Sequence, residues 1–311
     1  MPLDRAAFVI SIDTEMAWGL SHRPQERYSY PAERADLASL LALFDRYDIP
    51  ATWAVVGHLM LERCEPVDGV RHPEIIRPEY PWLEGDWFDA DPCSDVDRAN
   101  DRYAPDLVRL ILGAEARHEI ASHGFSHMMA GEDGCSRHAF ESELQAAVAA
   151  ASDLGLTLRS IVYPRNSIGH VDALRDRGFI AYRGRPERLP ATPWQRIVDR
   201  VVGSERTAVR PSAEDGLWNL PSSVLYNIDA HHGRTRAIWL RQIERRLDQA
   251  VRRASLFHLW FHPHNLRADP QAALAGLERL CRAAALHRDR GRLDTVTMGE
   301  LAGRLSDVAA G

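Results

Sequence analysis

The stretch Ala6-Ala7-Phe8-Val9-Ile10-Ser11-Ile12-Asp13-Thr14-Glu15 decides how the rest of the chain is read. An apolar run this short, broken only by one serine before Asp13, fits a strand buried on both faces, as in a parallel sheet covered by helices. It then reaches two acids with no turn residue between. Carboxylates at the end of a buried strand are costly unless they are used, and in parallel α/β folds the strand ends carry the catalytic groups. The bland alternative is that Asp13 or Glu15 caps the next element.

Working outward, strand-like and helix-like segments alternate. Ala32–Asp48 places Leu37, Leu40, Leu41 and Phe44 at helical spacing, and Ala51–Gly57 reads as a second strand. Helices are expected over Ala104–Arg117, Phe140–Leu154, Val171–Arg177, Arg236–Ala254, Gln271–His287 and Glu300–Leu305. Strands are expected over His118–His123, Arg159–Tyr163, Phe179–Tyr182, Leu217–Val224, Ser255–Phe261 and Leu293–Met298, with Pro221 a point of weakness. The alternation predicts a parallel sheet or barrel, and the absence of repeats and linkers predicts one domain over 1–311. Two stretches break it: the Pro-, Asp- and Trp-rich Cys64–Tyr103, expected to be a lid or specificity insertion after the second strand, and Arg185–Gly216.

Composition narrows the function. The 311 residues are 45% hydrophobic and 26% charged with a net charge of -6, and no basic run is interleaved with aromatics, so nucleic acid is not expected as a partner. No segment is apolar enough to span a membrane, and the first residues do not resemble a signal peptide, so a cytoplasmic location is expected. The four cysteines, Cys64, Cys93, Cys135 and Cys281, are widely spaced; free thiols are expected, not a disulfide framework or a structural zinc site.

Four constellations could carry chemistry, all at expected strand ends. Asp13 and Glu15 follow the first strand. His123 and His127 follow a later strand at a spacing that can share a metal. Tyr163-Pro164-Arg165-Asn166 puts a guanidinium where it can grip a carboxylate. Trp260-Phe261-His262-Pro263 ends the late apolar strand with a histidine placed as a general acid, whereas His258 reads as a core residue. A carboxylate and two histidines make an open metal site with room for water.

In this order the motifs resemble the polysaccharide deacetylase family, the NodB-homology carbohydrate esterases. Ser11-Ile12-Asp13-Thr14-Glu15 is similar to the family's first motif, His123-Gly124-Phe125-Ser126-His127 to its histidine motif, Tyr163-Pro164-Arg165-Asn166 to its arginine motif and Phe261-His262-Pro263 to its last. Gly178 to Gly184 occupies the usual next strand, and Leu217-Trp218-Asn219-Leu220-Pro221 looks like the strand that lines the acetyl pocket. The resemblance implies a distorted, incomplete (β/α)7 barrel. It implies Asp13 as general base, Arg165 orienting it, and His262 as general acid. Glu15, His123 and His127 would hold a divalent ion, Zn2+ first and Co2+, Ni2+, Fe2+ or Mn2+ otherwise. Asn166, Trp18, Leu220 and Trp260 would contact a small-molecule or lipid-linked acetamido sugar, and Trp82 and Trp87 are further stacking candidates. Gly124 stands where the family carries a hydroxyl, which implies the loss of a bond bracing the loop. The expected reaction is N-deacetylation of an amino sugar. Alternatives are a deformylase or allantoinase-like amide hydrolase, or a silent sugar-binding barrel; oligomeric state is open.

Overall fold

The computed structural model describes residues 3–21, 30–185, 209–214, 216–228, 231 and 233–310. Most of the Arg185–Gly216 stretch therefore lies outside the described residues.

Strand β1 is Ala6–Thr14, and every residue of it is buried. Its neighbours are β2 (Thr52–Val55), β3 (Glu119–Ser122), β4 (Ser160–Ile161), β5 (Ala181–Tyr182), β6 (Ser212–Glu214), β7 (Leu217–Asn219), β8 (Val224–Leu225), β9 (Leu256–Phe261) and β10 (Leu293–Thr295). The order across the sheet is β6-β7-β5-β4-β3-β2-β1-β9-β8, with β10 also on β1. All pairings are parallel except β6 with β7. The expected run Leu217–Val224 is two strands, because Pro221 and the residues beside it leave one side of the sheet for the other. Ser222 N–H donates to Gly184 O (3.0 Å) and Ser223 N–H donates to His258 O (2.8 Å). The sheet thus curls into a distorted barrel with no strand pairing between β7 and β8, and the chain itself bridges the gap.

The described α-helices are α1 (Tyr30–Tyr47), α2 (Pro105–Leu112), α3 (Arg137–Asp153), α4 (Val171–Arg175), α5 (Gly233–Arg253), α6 (Pro270–Asp289) and α7 (Met298–Ala310), with 3-10 turns at Met16–Leu20, Gly57–Met60, Pro164–Asn166 and Pro263–Leu266. Leu37, Leu40, Leu41 and Phe44 of α1 are buried in one large apolar cluster with Phe8, Ile10 and Ile12. The alternate residues Ala7 and Val9 join a second cluster with Ala54, Ala121, Val162, Ala181, Leu220 and Leu256, which fills the barrel floor. The period of two along a strand explains this division. It also carries Ser11 and Asp13 up the same interior face, above the floor. Among the described residues no helix is long and apolar enough to cross a membrane.

Candidate active site

Two strands build the centre of the site as parallel columns. On β1, Ser11 and Asp13 rise from the floor, and Glu15 follows at the rim. On β9, pairing Ser11 with Trp260, the sequence Leu256, His258, Trp260, His262 rises in step. His258 is fully buried and bonded to Ser11 Oγ (2.8 Å) and Leu220 O (3.0 Å), the core role expected of it. Burial pushes its imidazole down to about 3.

Asp13 is 3% exposed, and a guanidinium grips both its oxygens, Nη1 to Oδ1 at 2.6 Å and Nη2 to Oδ2 at 2.7 Å. That guanidinium belongs to Arg183, not Arg165. Arg183 follows β5 and is itself fully buried. It also donates to Ser11 Oγ (3.1 Å) and Asn166 Oδ1 (3.0 Å), and its Cζ lies 4.3 Å from the centre of the Trp260 ring. Arg165 sits in a 3-10 turn, Pro164–Asn166, with φ 52°, and its positive charge is felt at His127 instead. Both arginines follow short strands, and only the curl of the sheet decides which one faces Asp13 across the interior. Burial pushes the Asp13 carboxyl up, but Arg183 overrides it and holds the group below the ordinary carboxylate range.

Glu15 Oε1 meets three imidazoles: His123 Nε2 at 3.0 Å, His127 Nε2 at 3.1 Å and His262 Nε2 at 3.2 Å. His262 Nε2 lies 3.7 Å from Asp13 Oδ2. The ring of His123 is oriented by Val162 O, 2.8 Å from Nδ1. A carbonyl can only accept, so Nδ1 carries a proton and Nε2 is turned toward Glu15. Glu15, His123 and His127 present one donor atom each, all within 4.8 Å of one another, and so fit a divalent ion; Asp13, Glu15 and His262 form an overlapping set. Burial raises the Glu15 carboxyl and lowers His127, but the imidazoles pull Glu15 well below its usual value. For His262, burial pushes down and Glu15 pulls up harder, to about 9.

The loop carrying the histidine pair is not helical; His127 has φ 68° and Gly124 φ 73°. Its brace is Glu143 of α3, a residue that sequence reading did not single out. Glu143 Oε1 accepts from the backbone N–H groups of Phe125 (2.9 Å), Ser126 (2.6 Å) and Met128 (3.2 Å), while Oε2 accepts from Ser126 Oγ (2.8 Å). Burial pushes this carboxyl up, and the four donors pull against it. The lost hydroxyl at position 124 is thus replaced from below. A Cβ on Gly124 would stand 2.9 Å from Glu143 Oε1 in a left-handed backbone, so glycine is needed there. The only sequence signal was an acid amid alanines on the apolar face of α3.

The expected substrate contacts divide. Trp260 is half-buried beside His262, with ring centres 5.8 Å apart. Trp18 is not a stacking face: it is 2% exposed, packed on His58 at 4.4 Å, with Nε1–H donating to Arg102 O (3.3 Å). Leu220 is fully buried in the barrel floor. Asn166 N–H is committed to Tyr163 O (2.9 Å) and its Oδ1 to Arg183, so that N–H is not available to an oxyanion. Trp87 is buried, donating to Ser126 Oγ (2.7 Å), and Trp82 is 44% exposed but stacked on Tyr80.

No family profile matches the chain, and no curated protein sequence is recognisably similar to it. Solved structures are similar. One assigned as a polysaccharide deacetylase from Mycobacterium smegmatis aligns over 97% of this chain and 92% of its own, with TM-score 0.60 and 15% identity. The fold is that of the polysaccharide deacetylases. A second structure so assigned, from Pseudomonas aeruginosa PAO1, covers 95% of this chain and 89% of its own at TM-score 0.59 and 12% identity. Puue allantoinase covers 95% and 88% at TM-score 0.56 and 14% identity. The deacetylase fold thus accommodates more than one amide chemistry, and activity has to be argued from the site.

Proposed function

We propose that this protein is a metal-dependent amide hydrolase of the deacetylase family that removes an N-acetyl group from an amino sugar. The observation that carries the reading is the pairing of two carboxylates in opposite states of use. Asp13 is clamped ionised by Arg183, while Glu15 faces three imidazole nitrogens with one oxygen. Bound by Glu15, His123 and His127, a divalent ion supplies a Lewis acid and lowers the pKa of water from about 15.7 toward roughly 7. Zn2+ suits two imidazoles and a carboxylate best, with Co2+, Ni2+, Fe2+ and Mn2+ as alternatives.

The chain's own residues supply the rest. Asp13, held as the anion, accepts the proton of the attacking water. Arg183 stays charged and fixes both Asp13 oxygens, and the Trp260 ring shields that clamp from solvent. His262, whose imidazole faces Glu15 and Asp13 at 3.2 Å and 3.7 Å, delivers a proton to the leaving nitrogen; help of this kind is worth about 10²- to 10⁴-fold. An amide needs that proton more than an ester does, because an amine anion leaves poorly. A silent sugar-binding barrel would need neither a clamped base nor an acid beside it.

The fold likeness to an allantoinase keeps ring-amide hydrolysis, and deformylation with it, as the competing outcome. A small or lipid-linked cytoplasmic acetamido sugar is the proposed substrate, handled by residues 1–311 as one unit with the 64–103 insertion at its rim. Metal-loaded protein incubated with N-acetylated nucleotide sugars and lipid-linked sugars should yield products lighter by about 42 Da, acetyl replaced by hydrogen. Protein that binds no ion through Glu15, His123 and His127, or that opens allantoin and leaves every acetamido sugar intact, refutes the proposal.

A further inference from the structure

A second group of side chains of metal-ligating type lies where the insertion meets the turn after β2, outside the site above. His58, Cys64, His72 and Asp91 each offer one donor atom, and these atoms all lie within 4.8 Å of one another. His58 Nε2 is 3.2 Å from His72 Nε2 and 3.1 Å from Asp91 Oδ2; His72 Nε2 is 2.9 Å from Asp91 Oδ2. Cys64 Sγ is 3.5 Å from the same oxygen. Around a tetrahedral zinc ion, bond lengths of about 2.0–2.3 Å put nitrogen and oxygen donors about 3.3 Å apart and sulfur about 3.6 Å from either. The 3.1, 3.2 and 3.5 Å spacings lie close to those edges, and the 2.9 Å between His72 and Asp91 is shorter.

The orientation of the rings points the same way. His58 Nδ1 lies 3.1 Å from Arg102 O, which can only accept, and His72 Nδ1 lies 3.4 Å from a Glu74 oxygen. His58 therefore spends its Nδ1 proton outward, and both rings turn Nε2 toward each other and toward Asp91. Asp91 Oδ1 is anchored by Cys93 N–H (3.0 Å) and Tyr103 Oη–H (3.1 Å), which leaves Oδ2 to point into the cluster. Two imidazole nitrogens and a carboxylate oxygen within 3.2 Å of one another make a cradle for a cation. The side chains of His58 and Asp91 are fully buried and that of His72 is 7% exposed, so a charge held there is shielded from water.

We infer that His58, Cys64, His72 and Asp91 form a structural binding site for a zinc-class divalent cation that fastens the insertion to the barrel. A dipositive ion with one thiolate, one carboxylate and two neutral imidazoles is charge-neutral, which suits burial. Cys93 Sγ, 3.1 Å from Cys64 Sγ, is closer than the roughly 3.8 Å that two thiolates on one ion keep, so it flanks the site as a thiol. A cleft of about 360 Å³ that touches Cys64, His72 and Glu74 gives the ion a route in. The fastening has a purpose in the fold. Between Met60 and Pro105 the described chain forms no helix or strand, only the isolated bridges Arg63–Asp95 and Val67–Val70, so the backbone ladder alone holds it weakly. Yet the insertion supports the histidine loop of the active site: Trp87 donates to Ser126 Oγ (2.7 Å), beside the turn after β2, where Gly57 and His58 donate to Gly124 O (2.8 Å) and Phe125 O (2.9 Å).

Thiolate ligation separates the two sites in one experiment. Full-length protein purified under reducing conditions and loaded with Co2+ should bind two ions per chain and show a sulfur-to-cobalt charge-transfer band in the near ultraviolet. The double variant His123→Ala/His127→Ala should keep the band and one ion, because the active site has only nitrogen and oxygen donors. Cys64→Ser should lose the band and one ion, and Cys93→Ser should keep both. Should Cys64→Ser fail to fold, the band in the active-site double variant decides alone. Wild-type protein with no such band, or a Cys64–Cys93 disulfide in peptide maps of reduced-handled, metal-loaded protein, overturns the inference.

Discussion

Replacing Arg183 by methionine removes the only side chain that contacts both Asp13 oxygens at hydrogen-bond distance among the described residues. The methionine fills much of the arginine stem's volume, so the change isolates the charge. Two short charge-assisted bonds disappear, and a carboxylate that is 3% exposed stays behind. Stranding a buried charge in this way costs about 3–5 kcal/mol. The cost has a pH signature. In the wild type the Asp13 carboxyl sits below its usual range, so its contribution to stability is present above the unfolded value of 3.8 and lost as pH falls through the lower folded value. Without Arg183, burial is opposed only by the charges of His262 and His123, and the group rises. The variant then suffers a penalty that is absent below the unfolded value and grows with pH by about 1.4 kcal/mol per unit until the folded group ionises. Guanidinium denaturation of metal-free protein at a series of pH values should therefore find the gap widest, about 3–5 kcal/mol, at neutral pH and narrowing steadily toward acid, down through the wild-type carboxyl's folded value below 3.8. The acid limb of the pH–rate profile should move upward in parallel. Arg165→Met should show neither effect. A deficit in Arg183→Met that does not change with pH, or a pH-dependent deficit in Arg165→Met, would refute the assignment of the clamp.

Glu143→Ala should weaken metal binding at the histidine pair by about 10- to 100-fold in calorimetric titrations, the usual loss when a ligand's support is cut, while Glu143→Gln should fall between. Gly124→Ala should destabilise the fold by about 1–2 kcal/mol in thermal melts from its left-handed backbone alone, and should also weaken metal binding through the clash with Glu143. In metal-free protein the His262 imidazole should titrate near about 9 by NMR and move down when Zn2+ is added, because the ion takes up the charge of Glu15 that raises it; no movement would argue that the ion binds elsewhere. His262→Ala should lose amide hydrolysis by about 10²-fold or more and keep its metal, measured side by side on the same preparation.

What could be read from the chain, and what could not, follows from how far each signal reaches. Ala6–Thr14 announces itself because a strand buried on both faces must be apolar almost throughout, and the acids after it stand out against that background. The histidine pair and His262 are legible for the same reason, each closing a short apolar run. Arg183 is not, because β5 is two residues long and nothing local tells its arginine from Arg165; the choice is made by the curl of the sheet. Trp18 misleads because tryptophan at a strand end serves packing as readily as sugar binding, and here its ring covers His58. Leu220 misleads because β7 meets the interior at floor level. The insertion cluster is invisible for a different reason. Its donors are scattered from residue 58 to 91 with no paired spacing; the four cysteines are free thiols as expected, but nothing in their spacing shows that the folded insertion brings Cys64 and Cys93 side by side.

The bridge at Ser222 and Ser223 gives the barrel a seam. A closed ring of strands shares any outward push among all its ladders, but here, beside the isolated Val209–Leu256 bridge and the His258 bonds to Leu220 O and Ser223 Oγ, the load along one line falls on two backbone amides, those donated to Gly184 O and His258 O. Arg183 and Trp260 adjoin those two acceptors, so whatever widens the seam pulls the clamp away from its shield. The interior can thus give way along one line while the remaining pairings hold, and deuterium exchange at those two amides would record how often it does.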